Sequence, residues 1–109
     1  MNSICHFDLP TRNPKKLAAF YEKLFGWKFE QHDDYLMFSA DKGIGGGLEK
    51  DLKTTVIYLE VDDIEATLVK VSAAGGKTVM PKTETTEGNG HYALFADVEG
   101  TLVGIWSRH

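Results

Sequence analysis

One order of strands and a helix occurs twice in this chain, and that repeat restricts the possible folds more than any other feature. Each copy begins with a strand, continues with a helix that ends in glycine, and closes with three short strands. The sequence therefore predicts an α+β fold made of two βαβββ modules, about 1–50 and 54–109, within one domain of 109 residues. The predicted strands are 3–10, 27–31, 35–40 and 43–50 in the first copy and 54–61, 77–81, 91–98 and 101–107 in the second.

The two copies can be aligned by the spacing of a few residues. A helix cap, Asn13, follows His6 by seven residues. The cap of the second helix is Asp62 or Asp63, and Asp63 follows Val56 by the same seven residues. His6 and Val56 are therefore corresponding positions in the two modules. A nine-residue spacing later in each module agrees with this alignment: Phe38 with Gly47, and Phe95 with Gly104.

Each predicted helix carries apolar residues at three- and four-residue steps, which is typical of a helix that packs one side on a core. The helix at 13–26 has Asn13 as its cap, Pro14 in its first turn and Gly26 at its end. The residues between the apolar positions are expected to face solvent. The expected core residues are Leu17, Phe20, Tyr21 and Leu24 in the first helix and Ile64, Leu68 and Val71 in the second.

The composition is that of a soluble globular protein, with 42% apolar and 26% charged residues. The net charge is −4 and the basic residues form no stripe, so nucleic acid is not an expected partner. Neither a membrane-spanning run nor a signal-peptide pattern is present, so we expect no membrane association and a cytoplasmic location. The one cysteine, Cys5, excludes an internal disulfide and is expected to be a buried, unreactive thiol.

Four stretches together resemble the vicinal oxygen chelate superfamily, the group that contains glyoxalases, bleomycin-resistance proteins and extradiol dioxygenases. The resemblance implies that each module forms half of a curled sheet, with the helices outside and a central cup that holds the ligand. It covers nearly the whole chain and is strongest for the glyoxalase-related single-domain proteins. The stretches are HFDLPTRNPKKLAAFYEKLFGW, GIGGGLEK, IYLEVDDIEATLVKVSAAGGKTVMPKT and ALFADVEGTLVGIW.

The resemblance also implies where a metal would bind, because metal-dependent relatives use His or Glu from the first and last strand of each module. Those positions here are His6, Gly47, Val56 and Gly104. Glycine and valine side chains offer no donor atom, so three of the four positions cannot hold a cation. Glu49 lies on the same strand face as Gly47, but with His6 it does not complete a metal site. We therefore expect no metal and no other cofactor, and no true glyoxalase activity.

Strand alternation places His6 and Asp8 on the face of the first strand that points toward the cup. Its other face carries Cys5, Phe7 and Leu9, an apolar set suited to packing beneath the helices. Apolar walls with a few polar groups are typical of small-molecule pockets. The predicted ligand-binding residues are His6, Asp8, Glu49, Tyr58, Glu60, His91 and Trp106.

The role of His6 stays open between a structural histidine, a hydrogen-bond partner of the ligand, and a general base or metal ligand. His91 follows the glycine-containing stretch TEGNG, so it is either a lid residue over the cup or a plain surface histidine. Glu60 or Asp8 could also act as a base if burial raised its pKa.

Two functional hypotheses remain, because the sequence does not separate catalysis from binding. The first is a glyoxalase-related enzyme that applies lyase or isomerase chemistry to a small oxygen-rich molecule. The second is a metal-free protein that sequesters a small, partly aromatic ligand, as bleomycin-resistance proteins do; an acidic pocket would favour a cationic one. A regulatory subunit has no direct support. A homodimer is the expected assembly.

Overall fold

The structure, a computed structural model, describes residues 2–109 and contains two consecutive βαβββ units within them. The predicted α+β class and the repeat are confirmed. The elements are β1 (Ile4–Pro10), α1 (Pro14–Phe25), β2 (Glu30–His32), β3 (Tyr35–Phe38), β4 (Gly46–Glu49), β5 (Val56–Glu60), α2 (Ile64–Ala73), β6 (Lys77–Glu84), β7 (His91–Ala96) and β8 (Leu102–Ser107).

The chain divides into two compact units, of which the first is residues 6–55. Its strands lie in the order β2-β3-β4-β1, with β1 parallel to β4 and the other neighbours antiparallel. Helix α1 packs on one face of this sheet, because alternate strand residues on that face are apolar. The core consists of Ala18, Leu36 and Leu48, with Leu9, Leu17 and Phe29 packed against it.

The second unit is formed by residues 56–109 together with the start of the chain. Its strand order is β5-β8-β7-β6, again with one parallel pair, β5 and β8. Helix α2 covers one face of this sheet. Its core consists of Val61, Ile64, Ala93 and Ile105, with Leu59, Leu68 and Phe95 packed against it.

Both helices begin at the predicted cap residues. The Asn13 side chain accepts a hydrogen bond from Lys16 N, and the Asp63 side chain accepts one from Ala66 N. Gly26 ends α1 with φ 72°, the left-handed conformation that glycine adopts without a steric penalty. Within residues 2–109, neither helix has the length and apolar content required to cross a bilayer.

The predicted core stripe of α1 is wrong at Phe20 and Leu24, whose exposed fractions are 54% and 55%. The helix instead buries Ala18 against the sheet. Residues two apart lie about 200° apart around an α-helix, so burying Ala18 turns Phe20 outward. The apolar pattern identified the helix correctly but not the direction of its contact.

Three strand boundaries differ from the prediction by three residues, and the others differ by at most two. Strand β4 begins at Gly46 rather than at Gly43. Strand β2 begins at Glu30 rather than at Trp27, whose ring stacks on Phe38 with centroids 4.2 Å apart. Strand β6 continues to Glu84, three residues beyond its predicted end at Pro81. It pairs with β7 across two shifts in register, which accommodate Pro81 beside the ladder.

Candidate functional site

The face of the first sheet opposite α1 carries a group of polar side chains. Asp8 and Met37 both pair with Gly47 in register, so these strands present the same face at this level. His6 and Tyr35 lie two residues away on their strands and therefore share that face. Glu49, two residues beyond Gly47, lies there as well. We call His6, Asp8 and Tyr35 the polar cluster.

The polar cluster is a closed triangle of short contacts. His6 Nε2 lies 2.9 Å from Asp8 Oδ1 and 2.7 Å from Tyr35 Oη. The Tyr35 hydroxyl donates to Asp8 Oδ1 at 2.6 Å. A carboxylate oxygen accepts, so the contact between Nε2 and Asp8 Oδ1 is a hydrogen bond in the tautomer that carries its proton on Nε2. Asp8 is buried, with 5% of its surface exposed, and it orients both other side chains.

Gly47 is what allows Tyr35 to reach Asp8. A Cβ atom at position 47 would overlap Tyr35 Oη, Cζ and Cε1. The tyrosine ring therefore crosses directly over the glycine backbone. Position 47 is one of the implied metal-ligand positions, and in this structure the space beside its backbone is filled by a phenol.

Glu49 is half-buried beside the cluster, and its pKa is raised above the usual carboxyl value. Burial is the main cause, since it disfavours the charged form. The carboxylates of Asp8 and Asp51 act in the same direction, while backbone hydrogen bonds at Lys50 and Asp51 partly oppose them. A carboxyl group with a raised pKa is suited to accepting and returning a proton.

Glu49→Gln is expected to stabilise the protein at pH 7. The pKa of Glu49 is higher in the folded state, so its favourable contribution is complete below the unfolded carboxyl pKa of about 4.3 and is lost as the pH rises through the folded pKa. Glutamine carries no charge and avoids this loss. Urea midpoints from pH 4 to 8 should show an advantage for glutamine that grows with pH, whereas the exposed Glu60→Gln control should show little. An advantage that grows toward low pH would contradict this prediction.

The residues at the implied metal positions do not fit a divalent cation. Gly47, Val56 and Gly104 provide no side-chain donor, and the Val56 side chain is fully buried. Across residues 2–109, no three His, Cys, Asp or Glu side chains converge in a group that could hold a metal ion. We therefore derive no chemical step through a metal.

The corresponding face of the second sheet is aromatic rather than polar. Tyr58 pairs with Gly104, and a Cβ atom at position 104 would overlap the Tyr58 ring. Tyr92 meets Tyr58 edge to face with centroids 6.3 Å apart. The indole N–H of Trp106, on the same face, donates to Asn89 O at 2.9 Å. Both units thus place a tyrosine over the glycine of their last strand, but from different strands: Tyr35 lies on β3, whereas Tyr58 lies on β5 at the position that corresponds to Asp8.

The remaining predicted site residues lie in different places. Glu60 pairs with Trp106 and shares its face, but it is exposed. His91 pairs with Ser107 and points to the other face of β7, the face that carries Ala93 and the α2 core. The structure therefore does not bring His91 to Tyr58 and Trp106. Ligand binding by any of these residues remains a prediction.

Two other residues complete the comparison with the sequence. Cys5 is half-buried, and burial, followed by the nearby Glu60 charge, raises the pKa of its thiol, as expected for an unreactive cysteine. Tyr35 was not predicted as a site residue. Its position on the strand face opposite the core residues Leu36 and Phe38 was the available signal.

A model of the glyoxalase-like domain family matches residues 5–105. The chain belongs to this family. A glyoxylase-like domain-containing protein of Didymella fabae is 27% identical, over 96% of this chain and 93% of its own length. The resemblance to the vicinal oxygen chelate superfamily is thereby confirmed for this glyoxalase-like protein.

Solved structures agree at the level of the fold. Methylmalonyl-CoA epimerase from Mycobacterium tuberculosis has a TM-score of 0.73 at 13% identity, over 95% of this chain and 86% of that one. The Mn(II)-bound glyoxalase from Novosphingobium aromaticivorans has a TM-score of 0.72 at 20% identity, over 99% of this chain and 40% of that one. The chain therefore spans less than half of that glyoxalase. At such identities the likeness establishes the fold and not the activity.

Proposed function

We propose that this glyoxalase-like protein binds a small oxygen-containing molecule at the polar cluster and moves a proton on it, in lyase- or isomerase-type chemistry without a divalent cation. The observation that carries the proposal is the triangle of His6, Asp8 and Tyr35 beside a glutamate with a raised pKa. The triangle lies where the family resemblance places one metal ligand, His6, and an empty ligand position, Gly47.

Each group has a distinct role in the proposed chemistry. Glu49 takes a proton from the carbon next to a carbonyl and can return it, because its raised pKa brings it closer to neutral pH. His6 Nε2–H and the Tyr35 hydroxyl are bonded within the cluster in this structure, and in the proposed reaction they turn from it to the substrate oxygen on which negative charge develops. Asp8 positions both donors through its buried carboxylate.

Proton exchange in D2O tests the proposal without knowledge of the product. Chelator-treated protein is incubated with small carbonyl compounds, including methylmalonyl-CoA and the hemithioacetal of methylglyoxal, and loss of the α-proton signal is followed by NMR. We expect exchange with at least one compound, and a reduction of about 10²-fold or more in Glu49→Gln. Glu99→Gln, which alters an exposed glutamate between β7 and β8, is the matched control and should behave as wild type. Equal rates in wild type and Glu49→Gln would refute the assignment.

A metal-free sequestering function is the second candidate. One reason is that the side chains of the polar cluster are hydrogen-bonded to one another, an arrangement that can hold a structure together without taking part in a reaction. The other is the group of Tyr58, Tyr92 and Trp106, which suits a partly aromatic ligand. Thermal-shift screening separates the two, since a ligand at a hundred times its Kd stabilises by about 2.7 kcal/mol. Tight binding of an aromatic or cationic compound without proton exchange would support sequestration.

We also propose a cytoplasmic location. The chain has one cysteine, and Cys5 forms no disulfide, as suits a reducing compartment. Fractionation of cells that express the tagged protein would check this, and recovery in a membrane or secreted fraction would contradict it.

A further inference from the structure

Helix α1 leaves an apolar surface uncovered. Phe20 and Leu24, which the sequence pattern assigned to the core, are more than half exposed, and the neighbouring Phe25 is 64% exposed. Lys16, Phe20 and Leu24 recur at four-residue steps and share one side of the helix with Lys23. We call Lys16, Phe20, Lys23 and Leu24 the basic face of α1. Large apolar side chains that lie together in solvent indicate an interaction surface.

The segment that carries this face is basic in an acidic protein. Residues 12–28 contain five basic residues and one acidic residue, a net charge of +4, whereas the whole chain has −4. A partner for this face therefore needs apolar surface and negative charge. The charged residues are Arg12, Lys15, Lys16, Lys23 and Lys28 against Glu22.

Helix α2 presents a surface with the opposite properties. Glu65, Val69 and Ala73 recur at four-residue steps, with Asp62 at the same side before the helix begins. Val69 is 70% exposed, and all four residues are exposed. Residues 60–74 contain four acidic residues and one basic residue, a net charge of −3. We call Asp62, Glu65, Val69 and Ala73 the acidic face of α2.

We propose that the basic face of α1 binds the acidic face of α2 on a second copy of this chain. Bulky Phe20 and Leu24 side chains can pack onto the small residues Val69 and Ala73, while lysines meet carboxylates. Pairing α1 with α1 would bring like charges together. A second copy accounts for both exposed faces, whereas an anionic membrane would account only for the basic one. This proposal is independent of the polar cluster.

The size of the contact favours a symmetric dimer. A standard interface buries about 800 Å² per partner, more than one face of a three-turn helix provides. Two-fold symmetry repeats the contact with the roles of the copies exchanged, so each copy contributes both helices.

Charge reversal with complementation tests the pairing by sedimentation velocity at about 10 to 100 µM. Wild type is expected to be a dimer. We expect the dimer Kd to rise at least tenfold in each of two double variants, Lys16→Glu/Lys23→Glu and Asp62→Lys/Glu65→Lys. Neither pair includes Asp63, which caps α2. Lys42→Glu/Lys53→Glu, which alters exposed lysines outside both helices, is the control and should remain dimeric.

An equimolar mixture of the two reversed variants, one of them labelled, gives the decisive readout. In a mixed dimer, one contact joins the reversed α1 face of one variant to the reversed α2 face of the other, and the second contact joins two unaltered faces. Opposite charges therefore meet at both contacts. We expect the mixture to associate more tightly than either variant alone, and circular dichroism to confirm that each variant is folded. A monomeric wild type, or a mixture no tighter than its components, would overturn the proposal. Binding of a monomeric wild type to phosphatidylglycerol vesicles would overturn it in favour of a membrane surface.

Discussion

Gly104→Ala is expected to lower the free energy of unfolding by about 2 kcal/mol, whereas Gly47→Ala should lower it by less than about 1 kcal/mol. An added Cβ at position 104 would overlap the Tyr58 ring and lie 2.8 Å from Cγ, the ring atom nearest the backbone. Tyr58 is buried, with 6% of its surface exposed, so the ring cannot move aside cheaply. Neither glycine has a positive φ, so the difference comes from side-chain space.

At position 47 the overlap involves the far end of a flexible side chain, Tyr35 Oη and Cζ. This ring can swing away, at the expense of its hydrogen bonds to His6 and Asp8. Gly47→Ala should therefore disturb the polar cluster more than the stability of the fold. Proton exchange, if present in wild type, should fall in Gly47→Ala.

Urea unfolding with unchanged m-values measures both costs. A double-mutant cycle with Tyr58→Ala serves as the control for position 104, because Gly104→Ala should then cost almost nothing. Equal costs at the two positions, or a cost at 104 that persists without the Tyr58 ring, would contradict the packing explanation.

Tyr35→Ala combined with Gly47→Glu is expected to create a cation site, where residues 2–109 of the wild type form none. The alanine clears the space that the phenol occupies, and the introduced carboxylate can enter it. The Tyr35 oxygen lies 2.7 Å from His6 Nε2 and 2.6 Å from Asp8 Oδ1. Ligands bonded to one ion at about 2.1 Å lie about 3 Å apart, so three donors could surround an ion after small shifts.

After incubation with Mn²⁺ or Zn²⁺ and desalting, elemental analysis should find about one ion per chain in the double variant and none in wild type. Tyr35→Ala alone is the first control, because it clears the space without adding a donor. His6→Ala in the double variant is the second and should abolish retention. An ion retained by wild type would show that the native residues already suffice, and would contradict our account of Gly47.

The structure agrees with the sequence where the determining interactions are local. Asn13 and Asp63 cap their helices through bonds that span three residues, so the sequence alone locates both helix starts. The repeat likewise predicted βαβββ twice, because alternation and helical periodicity are properties of neighbouring residues. The end of β6 was missed, since residues 82–84 are polar and become a strand only by pairing with β7.

The direction in which α1 packs depends on a distant partner. Leu17, Phe20 and Leu24 form a plausible apolar stripe, yet the sheet contacts the helix at Ala18 and leaves two of them outside. The spacing of apolar residues shows that a helix has an apolar side. It does not show which part of that side the sheet will cover. The surface on which the dimer proposal rests was therefore invisible until the fold was known.

By itself the sequence determined the repeated architecture and the helix ends, which follow from residue type and spacing along the chain. It also shows that Gly47, Val56 and Gly104, where the family resemblance places metal ligands, carry no donor atom. Only the tertiary structure decided that Tyr35, 29 residues from His6, completes a hydrogen-bonded triangle with it and Asp8. That contact depends on strand register, which brings β1 and β3 to either side of a glycine on β4.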